Sequence, residues 1–193
     1  MSFIQTIPES DATGDTERLY ESDRANSGYL PNYSRTFSHR PALYEAWKTL
    51  NSTVKSTMDL RRYELATVGA AVALRSSYCS LAHGERLLGL GSDEDEVRSL
   101  AGPEPALGEQ ERAVVEFAAM VARDATSITQ GDVDRLRAVG LDDAEIFDVA
   151  AAAAARCFFS KLLDATGTRP DGVYRETIPG LVEDLTVGRP LAE

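Results

Sequence analysis

The stretch Glu64 to His83 reads Glu-Leu-Ala-Thr-Val-Gly-Ala-Ala-Val-Ala-Leu-Arg-Ser-Ser-Tyr-Cys-Ser-Leu-Ala-His. Asp59, just ahead of it, is a suitable N-cap, and the spacing predicts a helix over Leu60 to Arg75. Its interior is apolar nearly all round, and a helix without a polar face belongs in a core. Ser76 and Ser77 interrupt the run and offer caps for a second helix, Tyr78 to Leu90, closed by Gly91. Two successive helices, the first with no side for solvent, set an all-α body.

The same reading extends in both directions. Pro41 to Leu50 opens with Pro in a first turn and carries Leu43, Trp47 and Leu50 at helical spacing. A short acidic helix is expected over Ser92 to Leu100, before a loop marked by Gly102, Pro103 and Pro105. Leu107 to Arg123 shows Ala113, Val114, Phe117, Met120 and Val121 at helical spacing, and Thr129 to Val139 is a shorter helix stopped by Gly140. Asp142 with Glu145 forms a capping box that starts a long helix reaching Ala165, ended by Gly167. No convincing strand alternation occurs outside the two ends.

The expected fold is an all-α bundle of about six or seven helices, a single domain over residues 1–193. Residues 1–37 are polar, with a short helical candidate at Thr16 to Ala25 and a turn-rich Tyr29 to Tyr33. Residues 170–193 are punctuated by Pro170, Pro179 and Pro190. Both ends read as extended arms lying on the helical body, of the kind that reach a neighbouring subunit.

Composition narrows the function. A net charge of -11 argues against nucleic acid and anionic membrane surfaces as partners, because both select clustered Lys and Arg. No apolar run is long enough to cross a bilayer, and Met1 to Ser10 lacks the basic start and apolar block of a secretory signal. A cytoplasmic location is expected. Cys79 and Cys157 are too few for a disulfide scaffold in a chain of 193 residues, and a reducing compartment keeps them as thiols.

Cys79 falls in the first turn of its predicted helix, where unpaired amides and the helix dipole favour a thiolate. His83 follows one turn later on the same face, where it could take or return the thiol proton. Glu64 is the only acidic residue between Tyr63 and Leu74, and a buried carboxylate needs a partner or a pocket. Blander readings exist: Cys79 as a small buried hydrophobe, His83 as a core residue bonded to a carbonyl, Glu64 paired with Arg61, Arg62 or Arg75. A metal set of Glu64, Cys79, His83 and His39 lacks the tight, repeated spacing of zinc sites. Neither a metal nor a cofactor is expected.

Glu64, Ser76, Cys79 and His83 resemble the core motif of the alkylhydroperoxidase D and carboxymuconolactone decarboxylase family, in which Glu, Cys, Cys and His stand at these intervals. Arg61 to Ala66 and Tyr78-Cys79 add to the resemblance. Pro31-Asn32-Tyr33, Arg40-Pro41, Val133 to Arg137, Gly140 to Ile146 and Asp164 to Asp171 are similar to its peroxidase-related branch. The resemblance implies an all-helical fold assembling as dimers, trimers or hexamers. It also implies peroxide reduction, with Cys79 as attacking thiol and Glu64 and His83 as proton relay.

Ser76 stands where the family has its first Cys, and a hydroxyl cannot resolve the sulfenic acid that peroxide leaves on Cys79. Cys157 or an external small thiol would have to do so, leaving Ser76 to hydrogen-bond the thiolate or hold a water beside Glu64. The resemblance leaves two alternatives open: acid and base chemistry by His83 and Glu64 on a small organic acid, and a member without catalysis.

Overall fold

The helix foreseen around Glu64 lies at the centre of the molecule. The computed structural model describes residues 2–193. In it α4 (Leu60–Ala73) is buried at every position from Tyr63 to Ala71, as its lack of a polar face requires. Asp59 caps it by accepting a hydrogen bond from the Arg62 amide at 2.9 Å. Around it pack α5 (Ser77–Gly89), α7 (Glu109–Asp124) and α9 (Asp143–Ala165). α4 and α7 approach closely at Gly69, where an added Cβ would stand 2.7 Å from the Val115 carbonyl oxygen.

The bundle holds three apolar clusters. Tyr63, Ala66, Val114, Phe117, Leu136 and Val149 join α4, α7, α9 and α8 (Gln130–Ala138). Leu65, Leu81, Val97, Leu181 and Leu185 join α4 and α5 to α6 (Glu94–Ser99) and the C-terminal segment. Leu19, Phe37, Tyr44, Tyr78, Cys79 and Phe159 join the N-terminal segment to α5 and α9. The Asp142–Glu145 capping box is present and α9 ends at Ala165, both where the sequence placed them.

Two expectations are corrected. The described residues form eleven α-helices, not six or seven, and no strand. The additional helices lie largely in the ends read as extended arms. α1 (Asp15–Ser27) and α2 (Asn32–Phe37) fold near the N-terminus, and α10 (Tyr174–Thr177) and α11 (Val182–Leu185) near the C-terminus. The physical reason is a sparse apolar set that polar neighbours masked. Tyr174, Ile178, Leu181 and Leu185 recur at helical intervals, and all four are buried.

α3 (Pro41–Ser56) is longer than expected and turned differently. Leu43 and Leu50 are 44% and 51% exposed, whereas Tyr44 is buried and Trp47 partly so. Among the described residues no helix is long and apolar enough to cross a membrane.

Candidate functional site

Cys79 is the third residue of α5 and is buried, at 1% exposure. Ser76 occupies the N-cap position, but its side chain makes no capping bond. Arg75, immediately before, takes a φ of 56°, the left-handed turn that lets α5 start directly after α4. The Ser77 hydroxyl accepts a hydrogen bond from the Gly188 amide at 2.8 Å, and Ser80 Oγ donates to the Leu185 carbonyl at 2.5 Å. The C-terminal segment is thereby tied to the first turn of the cysteine helix.

Glu64 from α4 and His83 from α5 meet side by side, with His83 Nδ1 2.5 Å from Glu64 Oε2. Lys55 Nζ on α3 lies 3.6 Å from the other carboxylate oxygen. Arg61 and Arg62, the candidate partners nearby in sequence, pair elsewhere: Arg61 with Glu96 and Glu111, Arg62 with Glu145. Burial, aided by the positive charge of Arg156, pushes His83 down to about 4 against an ordinary 6.5. Burial alone would raise the Glu64 carboxyl, but the charges and hydrogen bond around it hold it below its ordinary value. Because His83 is neutral near pH 7, the holding is done by the hydrogen bond from its ring with Lys55 and Arg86. An ionised Glu64 requires the proton on Nδ1, which leaves Nε2 as a hydrogen-bond acceptor.

The sulfur's hydrogen-bond partner is Arg156, whose Nη1 stands 3.5 Å from Cys79 Sγ. No hydrogen bond joins Cys79 to His83 in this geometry, so the direct proton exchange read from their one-turn spacing is absent. Arg156, on α9, is 3% exposed, and its guanidinium lies over the rings of Trp47 and Phe159 at 5.6 and 5.4 Å. Burial opposes its charge, while Cys79 and Tyr63 beside it keep it held above its ordinary value. Sequence reasoning missed this residue, although a signal existed. Arg156 is the only charged side chain from Val149 to Ser160, the same anomaly that singled out Glu64.

Cys79, His83, Glu64 and Arg156 line one cavity of about 170 Å³. Its remaining wall is aromatic: Tyr44 and Trp47 stack at 6.1 Å, Trp47 and Phe159 at 4.2 Å, and Tyr33 meets Phe159 edge-on at 5.8 Å. Ser76 does not line the cavity, and its buried hydroxyl has no hydrogen-bond partner. Cys157 is half-buried against the α4–α7–α9 cluster, while Cys79 belongs to another, and burial pushes the Cys157 thiol up. His39 sits at the surface with Nε2 2.6 Å from the Gln5 carbonyl, away from the other three ligand types. Among the described residues no group of His, Cys, Asp and Glu is arranged to hold a metal.

The carboxymuconolactone decarboxylase family model matches residues 41–104, the segment that carries Glu64, Ser76, Cys79 and His83. Over that segment, a third of the chain, the sequence is similar to the carboxymuconolactone decarboxylase family. Solved structures share its fold. A peroxidase-related protein with an alkylhydroperoxidase AhpD core, from Ralstonia eutropha JMP134, superposes with a TM-score of 0.79 at 21% identity, over 90% of this chain and 94% of that one. A peroxidase-related protein from Silicibacter sp. TM1040 gives 0.77 at 22% identity, over 88% and 94%. The debrominase Bmp8 in complex with 2,3,4-tribromopyrrole gives 0.73 at 17% identity, over 92% and 96%. No curated protein matches the chain. Arg156 lies outside the segment matched by the family model.

Proposed function

We propose that this AhpD-like protein is a thiol-dependent oxidoreductase that reduces a peroxide at Cys79. The observation that carries this reading is a thiol 3.5 Å from a buried guanidinium, in a cavity that also holds a hydrogen-bonded carboxylate and imidazole. A thiolate formed there has a charge-assisted partner at once. Peroxide entering the cavity is attacked at its outer oxygen, so an S–O bond forms as the O–O bond breaks. Cys79 is oxidised to the sulfenic acid and the peroxide is reduced to an alcohol or water. The thiol proton ends on the leaving oxygen; with no hydrogen bond between Cys79 and His83 it travels through the bound peroxide, to which the neutral His83 Nε2 offers an acceptor while Glu64 holds the ring in that tautomer.

The sulfenic acid needs a second thiol. The Ser76 hydroxyl cannot serve, and Cys157 is held in a different cluster by packing. An external small thiol therefore closes the cycle: it forms a mixed disulfide with release of water, and a second equivalent returns Cys79 to the thiol. Mass spectrometry after a peroxide pulse, with a sulfenic-acid trap, is expected to label Cys79 and not Cys157. An unlabelled Cys79 refutes the proposal.

One observation favours a second reading. Glu64 and His83 bond each other and not the thiol, which is the layout of a carboxylate–imidazole base able to act on a small organic acid without sulfur. Turnover retained in Cys79→Ser and lost in His83→Ala would select it.

A further inference from the structure

Three properties of the cavity go unused by peroxide reduction as such: its size, its aromatic wall and its surplus of positive charge. A volume of about 170 Å³ is several times the ~30 Å³ share of one water and close to the ~150 Å³ cavity that accepts a benzene ring. The space suits one six-membered ring with a small substituent far better than hydrogen peroxide. Tyr33, Tyr44, Trp47 and Phe159 all line it and together supply the aromatic contact such a ring prefers.

Charge supplies the second constraint. Lys55, Arg86 and Arg156 line the cavity against the single carboxylate of Glu64, in a chain whose net charge is -11. Two cavity-lining donors are buried and unmatched: the Nε–H of Arg156, itself 3% exposed, and the indole N–H of Trp47. Buried donors without acceptors are rare in folded proteins, and at a cavity wall they mark where a ligand oxygen belongs.

Resting on the peroxidase reading above, we infer that the substrate is a one-ring aromatic peroxy acid and the product the matching aromatic carboxylate. The Cys79 thiolate attacks the terminal hydroxyl oxygen, the S–O bond forms, the O–O bond breaks, and the electron pair leaves on the carboxylate. The hydroxyl hydrogen stays on the transferred oxygen, so Cys79 becomes the sulfenic acid and no proton is needed by the leaving group. Negative charge moves from the sulfur to the carboxylate during the step, where Lys55, Arg86 and the free Arg156 and Trp47 donors receive it. The low-molecular-weight thiol of the preceding section reduces the sulfenic acid.

The test uses benzoate as the probe and Trp47, the only Trp of the chain, as the reporter. Benzoate added to the reduced protein is expected to change Trp47 fluorescence saturably. Acetate, which lacks the ring, and benzyl alcohol, which lacks the charge, should bind at least tenfold more weakly. Arg86→Gln, a change at an exposed position, should weaken benzoate at least tenfold. Absence of saturable benzoate binding, equal binding of either control, or indifference to Arg86→Gln overturns the inference.

A kinetic arm separates this inference from the reading beneath it. Oxidation of Cys79 by peroxybenzoic acid, normalised to its rate with free cysteine, should exceed that by hydrogen peroxide at least a hundredfold. Equal normalised rates overturn the aromatic peroxy acid and leave peroxide reduction standing. Oxidation by neither, with benzoate still bound, overturns both.

Discussion

Replacing Arg156 by Met tests the site most directly. The substitution keeps an unbranched side chain of similar reach and removes the charge 3.5 Å from Cys79 Sγ. A hydrogen bond from a charged group is worth about 1.5–3 kcal/mol, and each ~1.4 kcal/mol is tenfold in rate. Alkylation of Cys79 by iodoacetamide at neutral pH, followed in a Cys157→Ala background, should therefore slow by about 10- to 150-fold. The same charge depresses His83, so the His83 ring should titrate above its value of about 4 in the variant, as read by NMR. Stability should hold or rise, since the buried guanidinium is removed together with its desolvation cost. Unchanged alkylation in a folded Arg156→Met protein would falsify the assignment of Arg156 as the thiolate's partner.

Three further outcomes are expected. His83 titrates at about 4 in the folded chain and near 6.5 when unfolded, so only the unfolded state takes up its proton between those values. Stability should then fall as pH drops through that window, by about 3 kcal/mol at ~1.36 kcal/mol per pH unit, and urea titrations of His83→Gln should lack that part of the slope. Ser76→Cys replaces an unpartnered buried hydroxyl with a thiol in the first turn beside Cys79. It should form an oxidant-dependent disulfide, seen as the loss of two titratable thiols, whereas the native chain keeps both free. Leu185→Ala, on a side chain with 0% exposure, should cost about 2–5 kcal/mol; a loss near zero in thermal unfolding would mean the C-terminal segment is not part of the core.

Local signals carried the centre of the fold. The unbroken apolar face of α4, the Asp59 cap and the Asp142–Glu145 box are all short-range patterns, and each is realised. Glu64 and His83 were legible for the same reason, as polar residues stranded in apolar runs. Arg156 carried the same signal, a lone charge in an apolar run, but its contact with Cys79 spans 77 positions, so nothing local tied it to the site. The stripe Leu43, Trp47 and Leu50 misled because α3 turns Tyr44, Trp47, Asn51 and Lys55 toward the cavity, leaving Leu43 and Leu50 exposed. The ends misled in the opposite sense: Pro and Gly punctuation suggested extended chain, while a few apolar residues per turn were enough to dock short helices on the core. Ser76, read from the motif, sits at the N-cap as placed but takes no hydrogen bond to Cys79.

The Asp171 carboxylate joins three distant parts of the chain. It accepts hydrogen bonds from the Tyr78 hydroxyl and, at 2.9 Å, from the Asn32 amide, while the Tyr33 amide donates to the same Tyr78 oxygen at 3.3 Å. Tyr78 precedes Cys79, and Tyr33 walls the cavity. During synthesis the pocket therefore stays incomplete until residues beyond 171 have been translated and have folded back. A nascent chain that already displays its cysteine lacks the machinery to use it, and ribosome-stalled chains halted before Asp171 should be catalytically silent.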